Sequence, residues 1–302
     1  MVVRLKTGTS YEYGKRRYLM KKAVIADIHG NLPALQMCIS DALSAGADGF
    51  LFLGDYLGDL PYVRETLDFL YHLKKDYPCV FLRGNKEDYW LHPDPNWKPN
   101  TSVTGTLCYV LDRLTDQDID WFREMPDTLV TDLGGPVQFT ACHSSPGSNV
   151  RKLLHDDAYT EEVLRNSSTG LILFGHTHVR DVIRVGDTIA VNGGSVGYPQ
   201  RSSGKAQYLL LNGRSEGWDW EFRDICYDIE AVIQDMHRLG LYEAAPCWAE
   251  TTALVLKSGE ISHRNVMEYA SRLAEENGFP GTWEDVDEHF FEEAVKHFYE
   301  SL

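Results

Sequence analysis

Residues 21–46 read KKAVIADIHGNLPALQMCISDALSAG. The opening KKAVIADI is a short aliphatic run of strand type, whereas NLPALQMCISDALSAG carries its apolar residues at helical spacing. Asn31 suits a helix N-cap, Pro33 falls in the first turn, where its missing N–H costs nothing, and Gly46 closes the helix. Between the two elements stand Asp27 and His29, both metal-capable side chains. A strand that feeds a helix through a short loop is the first half of a βαβ unit.

The alternation continues. GFLFLGD (49–55) reads as a strand, LPYVRETLDFLYHLKKD (60–76) as a helix and CVFLRGN (79–85) as a strand, so a sheet built from βαβ units is expected. After Asn85, DYWLHPDPNWKPN (88–100) is read as an irregular, shaped loop because of its prolines, tryptophans and asparagines. Helices are expected over TSVTGTLCYVLDRL (101–114) and TDQDIDWFREM (115–125). A second set of strands follows: TLVTDL (128–133), PVQFTACH (136–143), GLILFGHTH (170–178), VIRVGDTIAV (182–191) and QYLLLNG (207–213), with a helix over DDAYTEEVLRN (156–166). Gly134-Gly135-Pro136 and Val185-Gly186-Asp187-Thr188 look like hairpin connections, so this half is expected to be the more antiparallel. Two facing strand sets predict a sandwich with outer helices. From Asp228 onward every segment shows helical spacing. The expected division is an N-terminal extension over 1–20, with Met20 as an alternative start, a main domain over 21–227 and a C-terminal helical subdomain over 228–302.

Forty-five acidic residues against 29 basic ones give a formal charge of −16, which repels polyanions and argues against stable binding to a nucleic-acid backbone. A phosphate-handling site would then need local positive charge, and bound metal cations are one source. The six cysteines are scattered without a CxxC pair. They read as reduced, buried thiols, which favours a cytoplasmic location. No apolar run reaches the roughly 18 residues that a membrane span needs, and there is no signal-peptide pattern, so no membrane association is expected.

Strand ends carry the chemistry. Asp27 and His29 follow the first, Asp55 the second and Asn85 the third; His143 follows a later strand, and His176 and His178 another. Singly, each is an ordinary turn or capping residue. Together at successive strand ends they are explained by one binuclear centre, and strand alternation would place His176 and His178 on one face.

The series DIHG (27–30), GD (54–55), GN (84–85), HSSPG (143–147) and GHTH (175–178) resembles the signature blocks of the calcineurin-like metallophosphoesterase superfamily. NGGSVG (192–197) is similar to the segment that follows GHTH in its small bacterial phosphoesterases. The resemblance covers roughly residues 21–200. It implies an α/β chain folded as a four-layer α/β/β/α sandwich, here with a C-terminal helical extension and with 21–227 as the catalytic domain. It implies that Asp27, His29, Asp55 and His178 hold one metal, and that Asp55, Asn85, His143 and His176 hold the second, with Asp55 bridging. Mixed nitrogen and oxygen donors suit Mn, Fe or Zn. Two such metals, about 3.5–4 Å apart, would generate a bridging hydroxide for in-line attack on phosphorus, making the chain a phosphatase or phosphodiesterase. The expected substrate is a small phosphate ester or nucleotide.

Asp55, Asn85, Lys86 and His143 are the catalytic candidates. Lys86 departs from the family pattern, occupying the place of a histidine that protonates the leaving group in phosphoprotein phosphatases. With an ordinary pKa of about 10.4, lysine is a poor general acid at neutral pH unless desolvated. Arg83 is a second cationic candidate or a partner of surface carboxylates. Asn31 is read as a cap before a phosphate contact, and Ser144 and Ser145 as loop caps or substrate donors. Tyr89, Trp90 and Trp97 are loop anchors or stacking surfaces for an aryl group or nucleobase. The C-terminal helices are expected to pack, to cover the site or to mediate a homo-oligomer. The alternative to an enzyme is a non-catalytic scaffold or sensor, because some relatives, such as a retromer subunit, keep the fold without the metals.

Overall fold

The computed structural model describes residues 12–13, 16–17, 20–282 and 285–300. The expected extension over 1–20 lies almost wholly outside them; β1 (Glu12–Tyr13) and β2 (Arg16–Arg17) form a short antiparallel pair. Residues 283–284, at the head of the helically spaced segment WEDVDEHFFEEAVKHFYESL (283–302), are also outside.

One sheet starts with β3 (Met20–Ile25), α1 (Leu32–Ser44), β4 (Phe50–Phe52), α2 (Val63–Asp76) and β5 (Cys79–Phe81), its three strands parallel as the βαβ reading requires. In α1 the Asn31 side chain accepts from the Ala34 N–H at 3.2 Å, and Ala34, Leu35, Cys38, Ile39 and Ala42 form the buried stripe. The chain continues through α3 (Asn85–Leu91), α4 (Gly105–Leu111) and α5 (Asp116–Glu124). The second sheet holds β6 (Thr128–Thr131), β7 (Phe139–Cys142), β8 (Leu171–Phe174), β9 (Asp181–Val185) and β10 (Thr188–Asn192), in the order β6-β7-β8-β10-β9, with α6 (Ala158–Arg165) between β7 and β8. Then β11 (Ala206–Gly213) and β12 (Trp218–Ile225) return to the first sheet, giving the order β12-β11-β3-β4-β5. The C-terminal helices are α7 (Ile229–Arg238), α8 (Leu241–Ala244), α9 (Pro246–Ser258), α10 (His263–Glu276) and α11 (Glu288–Glu300).

Period-two alternation builds the layers. Val24, Ala26, Leu51 and Leu53 face Phe139, Ala141, Leu173 and Val191 across the sandwich, while their neighbours Ala23, Ile25, Phe50 and Phe52 pack with α1 and α2 residues such as Leu35 and Leu67. On the far side Ile172, Phe174 and Ala190 pack with Leu164 of α6. Each fully buried Leu or Ile contributes about 1.5–3 kcal/mol, so both faces of each central strand stabilise the site-bearing edge.

Several expectations need correction. Residues 85–91 are helical rather than irregular: the Glu87 carboxylate accepts the Gly84 N–H at 2.8 Å and so caps the first turn of α3. The prolines impose irregularity only after His92. QYLLLNG joins the first sheet, not the second, pairing antiparallel with β3. β12 was not expected; its aromatic members alternate with charges, an edge-strand pattern whose single aliphatic residue is Ile225. The second sheet is mixed, with β7, β8 and β10 parallel and only β6/β7 and β9/β10 antiparallel. The expected boundary at 228 is a separate matter: of the helices beyond it, α7 and α9 contribute Val232, Met236, Ala249 and Ala253 to the main core. Only α10, α11 and part of α9 form a core of their own.

Candidate metal centre

Strands β3, β4, β5, β7 and β8 each release a polar side chain just past their C-terminal ends, at Asp27, Asp55, Asn85, His143 and His176. The loops are locked together. The Asp27 N–H donates to Gly54 O at 3.1 Å, the His29 N–H to Asp55 O at 3.0 Å and the Gly175 N–H to His143 O at 2.7 Å. Asp27, His29, Asp55, His176 and His178 all adopt left-handed backbone, with φ between 50° and 66°. Strand alternation therefore does not place the two histidines; β8 has ended at Phe174, and each turns inward from its own left-handed residue. Gly84 and Gly175 are small of necessity, since a Cβ would collide with Asp55 Oδ1 at the first and come within 2.8 Å of Asp27 Oδ2 at the second.

All seven expected ligands come together, in two sets. In one, His29 Nε2 and His178 Nε2 are 3.2 Å apart, His178 Nε2 is 3.4 Å from Asp27 Oδ1, and His29 Nε2 is 3.6 Å from Asp55 Oδ2. In the other, Asn85 Oδ1 lies 3.0 Å from His143 Nε2 and 2.9 Å from His176 Nδ1, those two nitrogens are 3.2 Å apart, and His143 Nε2 is 3.4 Å from Asp55 Oδ1. Asp27 also groups with Asp55 and His143, all three donor atoms within 4.8 Å of one another. A cation bonded at about 2.1 Å to each donor separates adjacent donors by about 3.0–3.4 Å, so both sets fit a first-row metal. Donor type agrees: four imidazoles, two carboxylates and one amide oxygen.

Outer partners aim these donors. His143 Nδ1 bonds to Leu53 O at 2.9 Å and His29 Nδ1 lies 2.7 Å from Asp59 Oδ2, so protons on those nitrogens leave both Nε2 lone pairs facing inward. Asp59 is fully buried, accepts the Trp248 indole N–H at 2.7 Å and lies 3.6 Å from Lys86 Nζ. The Glu87 carboxylate accepts the Asp55 and Tyr56 N–H groups at 3.0 and 2.9 Å, and the Lys86 N–H donates to Asp55 Oδ1 at 2.9 Å. Neither Asp59, Glu87 nor Trp248 was singled out from sequence. A signal existed for the first, the repeated Gly-Asp of GDYLGD; Trp248 lies in a distant helix with no local mark.

Burial raises the Asp27 carboxyl, but His178, then His143 and His29, outweigh it and hold the group below the usual carboxylate range. Burial, reinforced by the neighbouring His143, lowers His176 to about 4. Burial favours a neutral Lys86, yet Asp59 and Asp55 outweigh it and raise its pKa. The carboxylates around Lys86 therefore favour its ammonium form. Burial and the Asp55 charge push Glu87 up to about 7, against three backbone N–H donors.

The remaining candidates are occupied by structure. Arg83 pairs with Asp88 at 2.9 Å and Asp127 at 2.5 Å. Asn31 caps α1 and donates to Gly197 O at 2.7 Å, Ser144 donates to Arg151 O, and Ser145 shares a hydrogen bond with Tyr159. Trp90 is a buried anchor; Tyr89 is exposed.

An uncharacterized protein of Methanocaldococcus jannaschii is 21% identical over 227 residues, which is 70% of this chain and 90% of that protein. A metallophosphoesterase from Sphaerobacter thermophilus superposes with a TM-score of 0.64 at 21% identity, covering 80% of this chain and 99% of its own. A hypothetical protein from Pyrococcus horikoshii reaches 0.68 at 21% identity, covering 81% and 100%. These likenesses concern the fold. The model of the calcineurin-like phosphoesterase family matches residues 20–180, more than half of the chain and every ligand-bearing loop, and to that family the chain belongs.

Proposed function

We propose that the chain hydrolyses phosphate esters at a binuclear metal centre. Asp27, His29 and His178 would hold one ion, Asn85, His143 and His176 the other, with Asp55 shared; Mn, Fe or Zn suits the donors. The observation that carries this reading is the division of Asp55: Oδ2 faces His29 at 3.6 Å and Oδ1 faces His143 at 3.4 Å, one oxygen to each donor set. When bound, two such ions supply Lewis-acid polarisation of a phosphoryl group and a water acidic enough to attack it.

The chain's own residues do the rest. His29, Asp55 and His143 are nearly inaccessible, whereas Asn85, Lys86 and His176 are half-buried, so substrate enters from that side. Lys86, held cationic by Asp59, stabilises negative charge developing on the phosphoryl group. Elemental analysis of protein purified with Mn, Fe or Zn, combined with assays on aryl phosphates and nucleotides, tests the proposal. About two metal equivalents and chelator-sensitive turnover are expected. Absence of metal, or metal without turnover of any ester, overturns it.

A further inference from the structure

A cleft of about 1340 Å³ begins at Lys86 and runs between the 89–107 segment and the C-terminal helices. Its walls bear Tyr89, Trp97, Trp248, Leu107 and Met267. Lys86 and Tyr89 are three residues apart on α3 and so share a face, with Nζ 6.0 Å from the Tyr89 ring centre; the Trp97 ring meets Tyr89 edge-on at 6.4 Å. Tyr89 is 43% exposed despite its neighbours. Lys86 joins the two regions: it lines the cleft and, half-buried like its chain neighbour Asn85, its N–H donates to Asp55 Oδ1.

Resting on the phosphoesterase reading, we infer that this cleft is the leaving-group site, and that it selects phosphate esters whose alcohol part is a large aromatic group, of which nucleosides are the natural class. With phosphorus at the donor sets beside Lys86, the alcohol side of the ester meets the aromatic wall that begins at Tyr89, 6.0 Å from Lys86 Nζ. Rings offer a face to any base or aryl group, and such stacking is sequence-tolerant. Charge narrows the class further. Asp94, Asp285 and Glu288 line the cleft against only Lys86 and Lys98, so an alcohol part carrying further phosphates is repelled. The volume exceeds that of the phosphate alone by far and leaves room for a whole nucleoside. Hydrolysis forms a bond from a water oxygen to phosphorus as the P–O bond to the alcohol breaks; the leaving oxygen ends with a proton from that water, and the alcohol leaves through the same cleft.

The test compares adenosine monophosphate with glycerol phosphate on metal-loaded protein, in wild type and in Tyr89→Ala and Trp97→Ala, with circular dichroism to verify folding. The nucleotide is expected to have the lower KM, and each substitution to raise its KM about tenfold or more beyond any change for glycerol phosphate. Equal effects on the two esters, or no preference in the wild type, overturn the inference. Titration of intrinsic tryptophan fluorescence with adenosine monophosphate separates the two readings: saturable quenching lost in Trp97→Ala supports the cleft even if neither ester turns over, an outcome that would instead refute the phosphoesterase function. Absence of quenching refutes the cleft.

Discussion

Asp59 Oδ1 accepts a 2.7 Å hydrogen bond from the indole N–H of Trp248, a residue 189 positions away on a C-terminal helix. The helical region is thereby tied to the donor sets, because the other oxygen of Asp59 faces both His29 and Lys86. Trp248→Phe keeps most of the apolar contact and removes the donor. Metal affinity is expected to fall, by less than the roughly 10–100-fold that follows loss of a direct outer partner of a ligating histidine, as read by competition with a chromophoric chelator. Unchanged affinity would show that His29 is oriented without the helix.

Asp55→Asn tests the shared ligand. The substitution preserves shape and removes the charge that faces two histidines, so metal content is expected to drop from about two equivalents to one or none, with turnover at background. Elemental analysis decides it. A variant that keeps both equivalents would exclude a bridging role.

Lys86 should act by charge. Asp59 and Asp55 outweigh burial and raise its pKa, so the ammonium is available to meet negative charge at neutral pH. Lys86→Gln is expected to lower kcat about 10²–10³-fold with metal content intact. Lys86→His should introduce a proton donor near pH 6.5 and a matching limb in the pH–rate profile. A Gln variant with wild-type kcat would remove Lys86 from the chemistry.

Asp118 provides a stability prediction away from the site. Its buried carboxylate accepts from Thr115 N–H at 2.8 Å, Thr115 Oγ1 at 2.6 Å and Tyr71 OH at 2.7 Å, and pairs with Arg64. Burial raises its pKa, but Thr115, Tyr71 and Arg64 together outweigh that and depress it. A depressed folded value means stability present in full above the unfolded pKa of about 3.9 and lost as pH falls through the folded value. Asp118→Asn is expected to cost about 1.5–3 kcal/mol near neutral pH. In urea unfolding, the gap to wild type should narrow as pH drops below about 4.

Much of this was legible in the chain. Alternating aliphatic and helical periods gave β3 through β5, and polar residues at strand ends pointed to the seven side chains from Asp27 to His178 that the fold gathers in one place. What was hidden depends on long-range contacts. Whether Leu209 and Leu211 face one sheet or the other is not written in QYLLLNG; the 193–205 loop carries the chain across, and pairing with β3 settles it. The helix at Asn85–Leu91 was masked by the prolines beyond it, although Gly84 and Glu87 carried the capping signal. Trp248 reaches Asp59 only because α9 joins the main core, a fact no local pattern records.

The left-handed backbone at Asp27, His29, Asp55, His176 and His178 has an evolutionary corollary. Each such non-glycine residue costs about 1 kcal/mol or more, and glycine would relieve that strain at any of the five. Drift toward glycine is therefore easy for the backbone and ruinous only for the donors. Glycine at any of the five would exchange a donor atom for a relaxed backbone, so local stability and the capacity to hold a cation pull in opposite directions there.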